Sequence, residues 1–225
     1  MKQYQYLLLA LLMVSAVSCK KDSLESPAST LTGKIVYKDQ QIGVRSTGVQ
    51  FELWQSGYQL FTKIPLNIKQ DGTFSAKLFD GDYKLVRSVG AGPWADNTDT
   101  IKVKVNGAAT IEVPVEPYFF IKNISFEKNG TTAVKVTFTI EKNTATKTLE
   151  LARLYIGPNL IVDQNNNSAN VQVLAAAITV GQPVTLNVTI PASIANDAFI
   201  YARAGVKTTG VAELLYTPSE KIQLK

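Results

Sequence analysis

The residues able to do chemistry in this chain are few, and the missing ones narrow the field first. Among 225 residues there is no histidine and one cysteine. Catalytic triads and metal sites built on imidazole are thereby excluded. Cys19, 18 acids and the aromatic residues are left. Paired carboxylates are what glycoside hydrolysis needs, but no acid stands in a motif that nominates it, so no catalytic residue is assigned and a non-enzyme is expected. Asp71, Asp80 and Asp82 offer oxygens of the kind calcium takes, yet the calcium loop of about twelve residues is lacking. Asp71-Gly72 and Asp80-Gly81-Asp82 read instead as hairpin turns, so neither metal nor cofactor is expected.

Sugar recognition is the chemistry the remaining side chains suit, because flat aromatic faces stack on the C–H faces of pyranose rings. Trp54 falls in phase with Gln50 and Glu52, on the polar side of a strand whose other side is Val49, Phe51 and Leu53. A tryptophan placed in water marks a contact surface. Trp94 lies in the loop Gly90-Ala91-Gly92-Pro93-Trp94-Ala95-Asp96-Asn97, where binding residues concentrate on β scaffolds. Tyr58, beside Gly57, and the amide run Asn165-Asn166-Asn167 are weaker candidates. Each has a structural alternative: Trp54 covering the second domain or a sheet edge, Trp94 folding back as a plug under its own loop, and the asparagines forming a solvated turn.

The N-terminus speaks to location. Lys2 precedes Leu7-Leu8-Leu9-Ala10-Leu11-Leu12-Met13-Val14, followed by the small residues Ser15-Ala16-Val17-Ser18 and then Cys19. A membrane span needs about 20 apolar residues, so this shorter run predicts a signal peptide over 1–18. Ala16-Val17-Ser18-Cys19 resembles the lipobox of bacterial lipoproteins, which implies a lipidated Cys19. A lone cysteine in an exported chain otherwise calls for an explanation. Residues 19–30, polar and Pro/Ser-bearing, read as a tether. Losing 1–18 removes Lys2 alone and takes the net charge from +5 to +4. With no long Lys/Arg block, nucleic acid is not expected as a partner.

The elements that must position these residues are strands. Leu31 to Tyr37 and Val49 to Leu53 alternate with period two, as do Phe74 to Leu78, Tyr83 to Leu85, Ile101 to Val105 and Ile111 to Val115. Six or seven strands over 31–115 predict one β-sandwich. After Pro114-Val115-Glu116-Pro117 the pattern restarts. Candidate strands at Tyr118–Phe126, Val134–Ile140, Thr148–Tyr155, Asn170–Leu174, Val184–Ile190, Phe199–Lys207 and Glu213–Leu224 predict a seven-stranded second sandwich over 116–225. The fold class is therefore all-β, with two β-sandwich domains.

Gly33, Asp71-Gly72-Thr73-Phe74 and Gly81-Asp82-Tyr83 fall where the transthyretin-like (prealbumin-like), carboxypeptidase-regulatory-like sandwich has its signature residues, and the first domain resembles that family. The second resembles an immunoglobulin-like sandwich without a Cys-Trp-Cys core. With the lipobox, the tether and the stretches Leu151–Gly157 and Tyr201–Lys207, the whole chain is similar to a Bacteroidetes outer-membrane lipoprotein family of unknown function. Its members are found beside glycan-uptake proteins of the starch-utilisation type. The resemblance implies an outer-membrane protein held by its N-terminal lipid and facing the cell surface. Its implied partners are a polysaccharide or oligosaccharide and an outer-membrane uptake complex. The alternative is a structural, adhesion or protein-docking module that binds by strand addition.

Overall fold

Hydrophobic alternation becomes strand wherever it is clean. The computed structural model describes residues 25–57 and 61–225. In the first domain β1 (Ser29–Tyr37) runs antiparallel to β5 (Thr73–Leu78) and to the two-residue β2 (Gln40–Gln41), and parallel to β8 (Ala108–Pro114). The opposing sheet has the order β4 (Ile64–Asn67), β3 (Gln50–Gln55), β6 (Gly81–Arg87), β7 (Ile101–Val105), antiparallel throughout. Between the sheets lie Leu31, Ile35, Phe51, Leu53, Phe74 and Leu85, none more than 2% exposed. Burying each such side chain contributes about 2 kcal/mol.

Gly33 has a packing reason. It pairs with Phe74 on one side and Ile111 on the other, and a Cβ there would stand 2.3 Å from Phe74 Cζ and 2.6 Å from the Ile111 carbonyl oxygen. Without a side chain, β1 lets the Phe74 ring lie across it and meet Phe51 edge-on at 6.3 Å. The aspartates hold turns. Asp71 Oδ1 accepts from the Thr73 N–H (2.9 Å) and hydroxyl (2.7 Å). Asp80 Oδ1 accepts from Ser29 Oγ (2.5 Å) and the Gly107 N–H (2.8 Å), tying the start of β1 to two hairpin turns.

In the second domain β10 (Ala133–Lys142) sits between β9 (Phe119–Asn129) and β13 (Pro183–Thr189). The facing sheet carries β12 (Ala169–Leu174), β11 (Leu149–Gly157) and β14 (Phe199–Thr208), and β14 pairs further with β15 (Leu215–Tyr216) and β16 (Glu220–Gln223). Val134, Val136, Phe138 and Ile140 are all fully buried, as their period predicts. A register shift opposite Thr137–Thr139 in β9 coincides with Asn123 at φ 51°, a bulge that bends the strand.

The structure departs from the sequence reading at three strands. The run 213–224 is divided into β15 and β16, because Pro218 has no N–H to give a ladder and the Thr217 hydroxyl accepts from the Ala204 N–H at 3.1 Å. β2 and β4 were not expected. β2 is two exposed glutamines, and β4 is a four-residue edge strand with Pro65 inside it, a position where proline is tolerated.

The domains meet through a buried cation. Arg203, on β14, is 1% exposed. Its Nε donates to the Thr217 carbonyl (2.8 Å) and its Nη1 to that of Val162 (3.3 Å), while its Nη2 reaches into the first domain, to the carbonyls of Val44 (3.0 Å) and Gln70 (2.5 Å). The Tyr216 ring centroid lies 4.4 Å from its Cζ. Burial draws the guanidinium down to about 10, so it stays charged at neutral pH. Gly43 makes room for it: a Cβ there would stand 2.8 Å from Nη2 and 2.7 Å from the Tyr216 carbonyl oxygen. Beside it, Arg45 and Glu213 pair through Nη2–Oε1 (2.5 Å) and Nε–Oε2 (3.1 Å). Elsewhere along the junction Trp94 bridges to Pro117, and Tyr37 meets Phe120 at 5.3 Å.

Replacing Arg203 by methionine takes the guanidinium donor from the carbonyls of Thr217, Val162 and Val44, whereas that of Gln70 keeps the Val44 N–H at 3.1 Å. At about 1–3 kcal/mol per buried group left unsatisfied, Arg203→Met is expected to cost about 3 kcal/mol or more. Calorimetry checks this through a lowered transition; an unchanged melting temperature contradicts it.

Candidate functional site

The outer face of the first domain's second sheet is the place where aromatic rings and unpaired charges come together. Register puts Trp54 opposite Lys84, Lys84 opposite Lys102, and Asp82 opposite Lys104. Because side chains alternate along a strand, these residues share the face turned away from Phe51, Leu53 and Leu85. Trp54 is half-buried. Its indole lies 4.9 Å, centroid to centroid, from the ring of Phe61, which is 60% exposed. The two rings, with Asp82, Lys84, Lys102 and Lys104, border an open groove of about 410 Å³.

The indole is held in place. Trp54 Nε1 donates to Glu52 Oε2 at 3.1 Å, and Lys63 Nζ donates to Glu52 Oε1 at 2.6 Å. The Lys63 hydrogen bond, helped by that from the indole, holds the Glu52 carboxyl below its ordinary value of 4.5. Lys63 brings this contact from the connection between β3 and β4, the same connection that carries Phe61.

Trp94 stands elsewhere, and its expected role as a ligand contact is corrected. It is 4% exposed, packs 6.2 Å from Phe51 and belongs to the hydrophobic core. The loop folds back so that the ring covers the end of the sandwich, with Gly92 so close that a Cβ there would stand 2.2 Å from the indole. Tyr58 and Cys19, with the signal peptide, lie outside the described residues. The asparagine run is spent on its own loop: Asp163 Oδ1 accepts from the N–H groups of Asn165 (2.8 Å) and Asn166 (3.0 Å), and Asn167 Nδ2 donates to the Asp163 carbonyl (3.0 Å). Among the described residues no three acids or cysteines converge in a manner that would hold a metal.

A second groove, of about 450 Å³, lies between the domains and is bordered by Gln41, Phe120, Lys122 and Tyr216. Its aromatic rings are buried, Phe120 at 6% and Tyr216 at 2% exposure, so it offers no open face for stacking. Sequence reading missed Phe61 and the three lysines. Phe61 lies outside any alternating run. The lysines read as ordinary wet strand positions until the register sets Lys84 beside Lys102.

Residues 29–116 match the family model described as the N-terminal domain of a protein of unknown function, DUF3823, and residues 119–221 match its C-terminal counterpart, DUF3823_C. The chain belongs to the DUF3823 family. A DUF3823 protein from Bacteroides ovatus is 39% identical, with a TM-score of 0.81, covering 88% of this chain and 100% of its own. One from Parabacteroides merdae is 30% identical at the same TM-score and coverage. A protein from Bacteroides uniformis described as a candidate carbohydrate-binding protein is 20% identical, with a TM-score of 0.72 and the same coverage, a likeness of fold. No curated protein matches.

In this DUF3823 chain the depressed Glu52 carboxyl makes a pH prediction. The contribution of a carboxylate whose folded pKa lies below its unfolded value is complete above the unfolded value and lost as pH falls through the folded one. Trp54 emission should therefore change in an acid step whose midpoint lies below 4.5. Glu52→Gln should abolish that acid step; an emission change centred at or above 4.5 contradicts the assignment.

Proposed function

We propose that this protein is a non-catalytic lipoprotein that captures glycan at the outer face of the outer membrane, as an accessory to an uptake complex. The observation that carries the reading is the pair of rings, Trp54 and Phe61, standing over an open groove on a rigid sheet. Tilted aromatic faces with charged and hydroxyl-bearing neighbours are what sugar rings stack on and hydrogen-bond to. Among the described residues Asp82 is the one carboxylate bordering the groove, whereas hydrolysis uses two, which favours binding over turnover. The description of the Bacteroides uniformis relative points the same way. Membrane attachment is assigned to a lipid on Cys19, on the strength of Ala16-Val17-Ser18-Cys19 after an uncharged run. More than one acyl chain gives stable anchoring.

Two measurements test these assignments. Titration calorimetry against plant, host and bacterial polysaccharides should find a ligand whose affinity drops by about 2 kcal/mol in a Trp54→Ala, Phe61→Ala double variant, the ordinary size for an aromatic hot spot. The melting temperature should barely move. Binding that survives both substitutions removes the groove from the account, and silence across the array shifts weight to protein docking. For the anchor, Cys19→Ala should abolish labelling by radioactive palmitate and release the protein from the membrane fraction; persistent labelling refutes the lipid assignment.

A further inference from the structure

We infer that the glycan bound on the Trp54–Phe61 face is anionic, carrying uronate or sulfate groups. The inference rests on the glycan reading above and adds the charge of the ligand.

Lys84, Lys102 and Lys104 all border the groove and are all exposed. None of them belongs to an ion pair of this structure, whose described ion pairs use Lys34, Arg45, Lys63, Lys122 and Lys135. Their arrangement has a cost. Lys84 and Lys102 are direct cross-strand partners, and like charges set opposite each other destabilise a sheet. The nearby acids do not relieve it: Glu52 is engaged by Lys63 and the indole, and Asp82 is one carboxylate among three lysines. The wet strand faces of the second domain are organised differently. There Lys122 pairs with Glu141 at 2.6 Å and Lys135 with Glu127 at 2.8 Å, both between β9 and β10. On the groove face the cationic row instead continues from the indole, Trp54 to Lys84 to Lys102 across three adjacent strands.

A sugar ring stacked on Trp54 and Phe61 would place its substituents over that row. A carboxylate or sulfate lying between Lys84 and Lys102 would turn their repulsion into two attractive contacts. A neutral sugar leaves the repulsion in place. Trp54 supplies shape and Lys84 and Lys102 supply charge selection, a division in which electrostatics sets specificity.

The test uses the full chain and four polymers: dextran, dextran sulfate, polygalacturonate and polyglutamate. Dextran and its sulfate share a backbone, polygalacturonate supplies carboxylates on sugar, and polyglutamate supplies carboxylates without sugar. The inference expects binding to dextran sulfate, polygalacturonate or both, and the one that binds identifies the anionic group. It further expects weakening when salt is raised from about 0.05 M to about 0.5 M, which shortens the screening length severalfold. A Lys84→Gln, Lys102→Gln variant should bind about tenfold more weakly, the product of two exposed charge contacts, and should lose most of the salt dependence. Both positions are exposed and the variant removes a like-charge pair, so weaker binding with a melting temperature that is unchanged or raised identifies the effect as binding. If dextran binds as tightly as the charged polymers and the lysine variant binds like the parent, the inference falls and the glycan reading stands. If polyglutamate matches the sugars, the face is only a cationic patch and the inference is overturned. If no sugar polymer binds here and none binds across the wider polysaccharide array, the glycan reading falls with it.

Discussion

The Arg203 guanidinium is charged at neutral pH and almost wholly withdrawn from water, a state that costs several kcal/mol unless its donors are met by acceptors. Here the acceptors are backbone carbonyls, two from each domain. Carbonyls fixed by strand and turn geometry cannot rearrange one at a time to follow a moving cation. The first domain must therefore sit where Val44 and Gln70 satisfy the arginine. The missing side chain at Gly43 and the Tyr216 ring beside the guanidinium accommodate that seating.

A fixed junction matters to the groove. The strands bearing Trp54, Lys84 and Lys102 belong to the same sandwich whose loops hold Arg203, so the aromatic face keeps one orientation relative to the second domain. Rigidity extends to the side chains: the indole is stapled to Glu52, and Glu52 to Lys63. Preorganisation of this kind lowers the entropy lost on binding.

Period-two alternation made most strands legible, because burying one face of a strand dictates its residue pattern. Val134 to Ile140 needed nothing beyond that rule. The rule was silent on β2 and β4, where two to four residues are too few to show a period, and it overran Pro218, where a backbone donor is missing. Phase placed Trp54 on the outer face, but phase cannot place a loop residue. Trp94 shows this: the loop turned its ring inward onto Phe51, since burying so large an apolar surface outweighs leaving it in water. The lysine row lay beyond reach for a different reason. Each lysine alternates properly along its own strand, and only the pairing of β3 with β6 and of β6 with β7 sets them in line.

The placement of β1 has a mechanical meaning. A chain held from its N-terminal side delivers tension to Ser29, the first residue of β1. That strand is flanked by β5 on one edge and β8 on the other, and Ser29 is itself tied to Asp80. Tension along β1 would load both ladders in shear, with many hydrogen bonds strained together instead of peeling one by one, since ladder bonds lie across the strand direction. The parallel β8 ladder runs from Thr30 to Val36, so the resisting bonds span nearly the whole strand. A domain wired in this way resists unfolding by a force applied at Ser29.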